Sequence, residues 1–438
     1  MVFEPSGLAH RKESAGKLAT QIAERLASPD DVLSLTKLAG DPSSVSLVWT
    51  ASSLARGYPG IALLFLNRVG EDPANAAIGH QYLQRSVEAL MNKEAADLGL
   101  LDDLCGLAFS LETGRQVTHG GYEKALETLN REIVARTKAM CEWIAAEPTG
   151  EVSRYDAISG LAGAGRYMLL RPERFEEDLR RVLDCLVVMA DGMASINPGF
   201  WSPSTPEYYS TDPDLLNHGH LNLGLAHGIA GPLSLLSLAY KEGLDVPGQH
   251  EAAERIVSVY SERALHDEYG VFWPGYLSRR QWDTGIVTAN RSRASWCYGL
   301  PGVARALQLA ARHFDRNDWR QLAQGAIASC VQTPRASWQI TDASLCHGWA
   351  GALHLLGLFQ EDHTVPGIDE LRAEVCGTIL DEFKGDFPFG FRAPVVNHPE
   401  GADYPGLLEG AAGIALALDS YSHGTDSANT WGAALLVS

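Results

Sequence analysis

A Gly-x-x-Gly step followed by an apolar run of small residues recurs along this chain, at Gly57/Gly60, Gly160/Gly163, Gly228/Gly231, Gly299/Gly302, Gly348/Gly351 and Gly410/Gly413. A degenerate seventh copy fits at Cys105-Gly106-Leu107-Ala108-Phe109, where Phe109 replaces the second glycine. Successive first glycines are separated by 49, 54, 68, 71, 49 and 62 residues, room in each case for two helices of average length and their connections. After the glycines the chain is apolar on most sides, as in Trp349-Ala350-Gly351-Ala352-Leu353-His354-Leu355-Leu356-Gly357-Leu358-Phe359, which predicts helices buried all round. Between them, stretches such as 175–183 and 253–260 carry apolar residues at helical spacing with charges opposite, which predicts half-exposed helices. Seven such alternations describe an inner ring of seven helices wrapped by an outer ring of seven. The expected fold is all-α, an α/α toroid forming a single domain over residues 1–438, with an irregular N-terminal segment over about 1–45.

The glycines themselves have a structural explanation, since they end a loop and let each inner helix start close to its neighbours. Chemistry is expected just before them, because equivalent positions in a ring of repeats face one mouth. Cys297 and Cys346 both lie two positions before a first glycine, and His347 and His227 both lie one position before theirs. Two thiolates and one imidazole aimed together would hold zinc with three protein ligands and leave tetrahedral zinc one open position, as in catalytic sites. A substrate thiol taken into that position binds as a thiolate, although a free thiol is only a few per cent ionised near neutral pH. His227, at the position of His347, is a candidate general acid or base. Asp156, four residues before Gly160, and Arg293, four before Cys297, could equally be cap, salt-bridge or catalytic residues.

Composition narrows the partners. A formal charge of −19 over 438 residues argues against nucleic acid and against a polybasic membrane patch, which need clustered Lys and Arg. No basic-then-apolar start and no membrane-length apolar run occur, so a cytoplasmic location is expected. Seven thinly spread cysteines suit a reducing compartment, with Cys141, Cys185, Cys330 and Cys376 as small buried hydrophobes. Two loop-forming stretches rich in Pro, Gly and aromatics, 197–209 and 387–394, could grip a substrate or simply pack on the surface.

Together the repeat count and the segments Asn222-Leu223-Gly224-Leu225-Ala226-His227-Gly228-Ile229-Ala230-Gly231, Trp296-Cys297-Tyr298-Gly299, Cys346-His347-Gly348 and Gly406-Leu407-Leu408-Glu409-Gly410-Ala411-Ala412-Gly413 resemble the lanthipeptide (lantibiotic) cyclase family, LanC, over nearly the whole chain. The resemblance implies Zn2+ on Cys297, Cys346 and His347, and active-site roles for Asp156, His227 and Arg293. It implies a Michael-type addition of a peptide cysteine to dehydroalanine or dehydrobutyrine, forming a lanthionine or methyllanthionine thioether ring. His227 would protonate the enolate, Asp156 would assist proton transfer, and Arg293 would stabilise or orient the enolate or His227. The implied substrate is a dehydrated precursor peptide, supplied by a separate dehydratase and shared with an export transporter complex. The alternatives are glutathione addition to dehydroamino acids by a relative of the same fold, and a non-catalytic zinc-containing peptide-binding scaffold. A protein prenyltransferase subunit is disfavoured by the two-Cys-plus-His pattern.

Overall fold

The computed structural model describes residues 5–39, 41, 44–147, 149–194, 199–206, 212–361, 365–426 and 430–438. Helices dominate them, and the glycine steps sit where the apolar helices begin. Tyr58–Asn67, Leu161–Met168, Leu300–His313, Trp349–Leu358 and Ala411–His423 start one residue after the first glycine of their pairs, and Ala230–Lys241 starts two after. Crowding at the turn explains the residue type. A Cβ on Gly348 would collide with the Ser344 amide nitrogen and one on Gly351 with the Leu345 carbonyl. Gly299 has φ of +87°, a backbone conformation that side chains with a Cβ resist.

These helices are buried on nearly every side, as nine of the ten residues of Trp349–Leu358 illustrate. The helices between them are amphipathic. Pro172–Asp191 buries Phe175, Leu179, Val182, Leu183 and Leu186 along one stripe and leaves its charged face to solvent, as the helical spacing predicts.

The chain divides into two compact units, the first of residues 1–97, 101–130 and 340–433, the second of 98–100, 131–339 and 434–438. In the first, Tyr58–Asn67, Leu104–Val117, Trp349–Leu358 and Ala411–His423 form the buried layer, flanked by Asn75–Met91 and Ile368–Glu382. In the second, Leu161–Met168, Ala230–Lys241 and Leu300–His313 are buried, flanked by Pro172–Asp191, Gln249–Glu262 and Asn317–Gln332. A small antiparallel sheet in this unit pairs His220–Asn222 with Trp201–Ser202 and Tyr276–Ser278, and its central strand leads directly into the loop that carries His227.

The expectation of an irregular N-terminal segment is corrected. Pro5–Arg25 is a helix of 21 residues, and it packs against Ala411–His423 as an outer partner for that buried helix. Ala15, Ala19 and Ile22 are fully buried, a stripe at helical spacing that is faint in sequence because it is built largely of alanine. Arg68 fastens this corner. Its guanidinium donates to both oxygens of Asp419 at 2.7 Å and to Thr20 Oγ1 of the N-terminal helix at 2.7 Å, with side-chain exposures of 6% for Arg68 and 3% for Asp419.

Candidate active site

The second unit brings Asp156 and His227 together. Asp156 lies in the turn before Leu161–Met168, where Oδ1 accepts the amides of Ser159 at 2.7 Å and Gly160 at 2.8 Å. Two amide donors lock the carboxylate, which is 1% exposed, and its other oxygen lies 2.6 Å from His227 Nδ1. A carboxylate acceptor there fixes the proton on Nδ1, so that Nδ1 donates to Asp156 and Nε2 becomes the nitrogen that can accept and return a proton. His227 is partly exposed, at 28% of its side chain, as a group that must meet a substrate requires.

Main-chain bonds tie this dyad to the Cys297 loop. The amides of Leu225 and Ala226 donate to the Cys297 carbonyl at 3.0 and 3.3 Å, and the Ala157 amide donates to the Ala226 carbonyl at 2.9 Å. Beside Cys297, the fully buried Trp296 indole donates to the Leu435 carbonyl at 2.9 Å, and Ser295 Oγ lies 3.5 Å from the Cys297 sulfur. Asn222 orders the turn before His227, accepting the Gly224 amide on Oδ1 at 2.9 Å and donating from Nδ2 to the Tyr298 hydroxyl at 3.0 Å. Burial raises the Tyr298 phenol well above its ordinary range, which keeps it neutral. Arg293 belongs to the same unit but is exposed and forms no hydrogen bond or ion pair among the described residues, so the geometry does not join it to the dyad.

In the first unit Cys346 and His347 occupy the turn that opens Trp349–Leu358. The Cys346 amide donates to the Leu408 carbonyl at 2.9 Å. Asp342 begins the turn. Its Oδ1 accepts the Ser344 amide at 2.8 Å, its carbonyl accepts the Trp349 amide at 3.0 Å, and its Oδ2 lies 3.5 Å from His347 Nε2. Thiolate and imidazole donors are the softness zinc prefers, and a buried carboxylate facing the ring of His347 is the usual second layer of such a ligand. The residues therefore fit the metal. A shallow cleft lined by Asp342, Ser344, Phe391, Arg392, Tyr404 and Glu409 adjoins this turn, which gives the aromatic stretch 387–394 a place beside it. Of the other stretch, residues 197–198 and 207–209 lie outside the described residues.

Cys105, one position before the glycine of the degenerate repeat, lies in the first turn of Leu104–Val117 and is fully buried, because that helix starts earlier relative to its glycine than the others do. Glu382 was not singled out, having no motif around it. Burial and the neighbouring charge of Asp342 push its carboxyl up to about 7. A folded value above the unfolded one gives a contribution to stability that is complete below about pH 4.5 and is lost as pH rises through about 7. Glu382→Gln is expected to unfold at higher urea than the parent at pH 8, by on the order of 1–2 kcal/mol after allowance for solvent at a partly exposed group, with the difference vanishing near pH 4.5. A gap independent of pH would show that the carboxyl does not titrate in this window.

Among the described residues no helix is long and apolar enough to cross a membrane. The nisin biosynthesis protein NisC of Lactococcus lactis subsp. lactis is 25% identical over 399 residues, 88% of each chain. The solved structure of nisin cyclase superposes with a TM-score of 0.74 at 23% identity, covering 97% of each chain, which establishes the expected all-α, α/α-toroid fold class. The model of the lanthionine synthetase C-like proteins matches residues 48–436, and the chain therefore belongs to that family.

Proposed function

We propose that this protein is a zinc-dependent lanthipeptide cyclase working as a single domain over residues 1–438. It joins peptide cysteine thiols to dehydroalanine or dehydrobutyrine of a dehydrated precursor peptide. The observation that carries the reading is the Asp156–His227 pair at 2.6 Å, anchored to the Cys297 loop in a chain of this family. Cys297, Cys346 and His347 are the residues that would hold zinc. When bound there, zinc lowers the pKa of a substrate thiol, so that sulfur is nucleophilic at neutral pH without a strong base.

The remaining work falls to the chain. As the S–Cβ bond forms, the π pair of the dehydro residue moves to its α-carbon and carbonyl, and the α-carbon must then take a proton. His227 Nε2 delivers it, while Asp156 holds the imidazole in the required tautomer and steadies its protonated form. The proton that Nε2 delivers is the one it takes from the thiol beforehand, so the cycle consumes no net acid and leaves His227 in its starting tautomer. Arg293, exposed on the same unit, would reach the enolate or His227 only with substrate in place. A separate dehydratase supplies the electrophile, an export transporter complex takes the product, and the reaction is cytoplasmic.

Ring closure leaves the peptide mass unchanged but removes a thiol. The test is therefore N-ethylmaleimide labelling of a dehydrated cysteine peptide after incubation. The protein should abolish the adduct mass, and Cys346→Ala should lose both zinc and this effect, since loss of one of three ligands weakens metal binding strongly. Persistence of the adduct with the parent protein would favour the scaffold reading. Consumption of the electrophile only when glutathione is added would favour glutathione transfer, and full zinc in Cys346→Ala would refute the ligand assignment.

A further inference from the structure

We propose that Asp342 is the positioning residue of the metal site, its Oδ2 accepting the Nε2 proton of His347 so that Nδ1 is the nitrogen presented to the metal. The inference rests on the zinc reading above. Asp342 is 4% exposed. Only one of its two oxygens is used by the turn, through the Ser344 amide, and Oδ2 is buried with no hydrogen bond. A buried carboxylate oxygen without a donor is costly, and His347 Nε2 faces it at 3.5 Å. A ring rotation that shortens this separation satisfies the oxygen, fixes the tautomer and increases the basicity of the other nitrogen.

The repeat supplies an internal control. Six residues before its first glycine, the His227 copy has Asn222 where the His347 copy has Asp342. Both side chains make the same contact through Oδ1, to the amide two residues on, at 2.9 Å for Asn222 and 2.8 Å for Asp342. An amide therefore suffices for the turn. The carboxylate at 342 is more than the turn demands, and its second oxygen points at the proposed ligand. The His227 copy obtains its carboxylate elsewhere, from Asp156, so both histidines face an acidic partner reached by different routes.

The test is Asp342→Asn in the full-length protein, with zinc affinity measured by competition with a chromophoric chelator and apo-protein stability by thermal melting. The variant should melt no lower than the parent, since asparagine serves the sister turn and removing the charge relieves both the buried oxygen and its repulsion of Glu382, yet bind zinc roughly 10–100-fold more weakly. In a His347→Cys background, where no imidazole remains to be positioned, the same substitution should change zinc affinity little. Equal weakening in both backgrounds, or unchanged affinity in the single variant, would overturn the proposal. Ring ¹⁵N spectra of the zinc-loaded parent give an answer independent of any variant. Nε2 protonated and Nδ1 ligated is expected, whereas Nε2 ligation excludes the role. A parent that takes up no zinc would instead sink the metal reading itself, before Asp342 is altered.

Discussion

His227→Ala is expected to slow ring closure by about two to four orders of magnitude, the usual loss when a positioned general acid is removed, while zinc content stays at the parental level. The split between the two readouts is what makes the result informative. His227 shares its place before the glycine with His347, and sequence register alone would allow it to be another ligand. Its Nδ1 is instead engaged by Asp156 at 2.6 Å, which is the arrangement the proposed proton carrier requires. Thiol disappearance followed by maleimide labelling gives the rate, and metal analysis of the same sample gives the zinc. Loss of zinc along with activity would move His227 into the ligand set; unchanged activity would place the proton transfer on another group.

The second large effect concerns the fold rather than the reaction. Arg68→Ala should lower the unfolding free energy by about 3–5 kcal/mol at pH 8, because it strands a carboxylate in the interior. Asp419 is 2% exposed, and burial already raises its carboxyl to about 6 with the guanidinium in place. Without Arg68 its folded value climbs further above the unfolded one. The variant's stability is then retained below the unfolded value and lost as pH rises through the folded one, so its deficit should shrink on acidification toward pH 5. Urea unfolding at the two pH values measures it. A deficit equal at both would mean that Asp419 stays charged and finds another partner.

How much of this was legible beforehand depended on whether a residue's purpose leaves a mark on its neighbours in sequence. The glycine steps did, since crowding at the start of each buried helix excludes a side chain at Gly348 and Gly351. Cys297, Cys346, His347 and His227 could be singled out because they share offsets from those glycines. The N-terminal helix was missed because its buried face is mostly alanine, which hydropathy barely registers. Asp342 was missed for a different reason. Its equivalence to Asn222 concerns a loop bond through one side-chain oxygen, and sequence cannot show that the second oxygen is left buried beside an imidazole. The residue pattern alone showed Asp156 as a carboxylate near a glycine, and only the family resemblance implied an active-site role for it; the 2.6 Å bond to a residue 71 positions away is a property of the folded chain.

The bonds that join the Ala157, Ala226 and Cys297 segments run through the backbone, and this has an evolutionary consequence. Any residue but proline can donate the amides at 157, 225 and 226, so side chains around the dyad can drift while the register between its loops is inherited intact. A lineage can thus vary the side chains around Asp156 and His227 without changing the spacing between the loops that carry them.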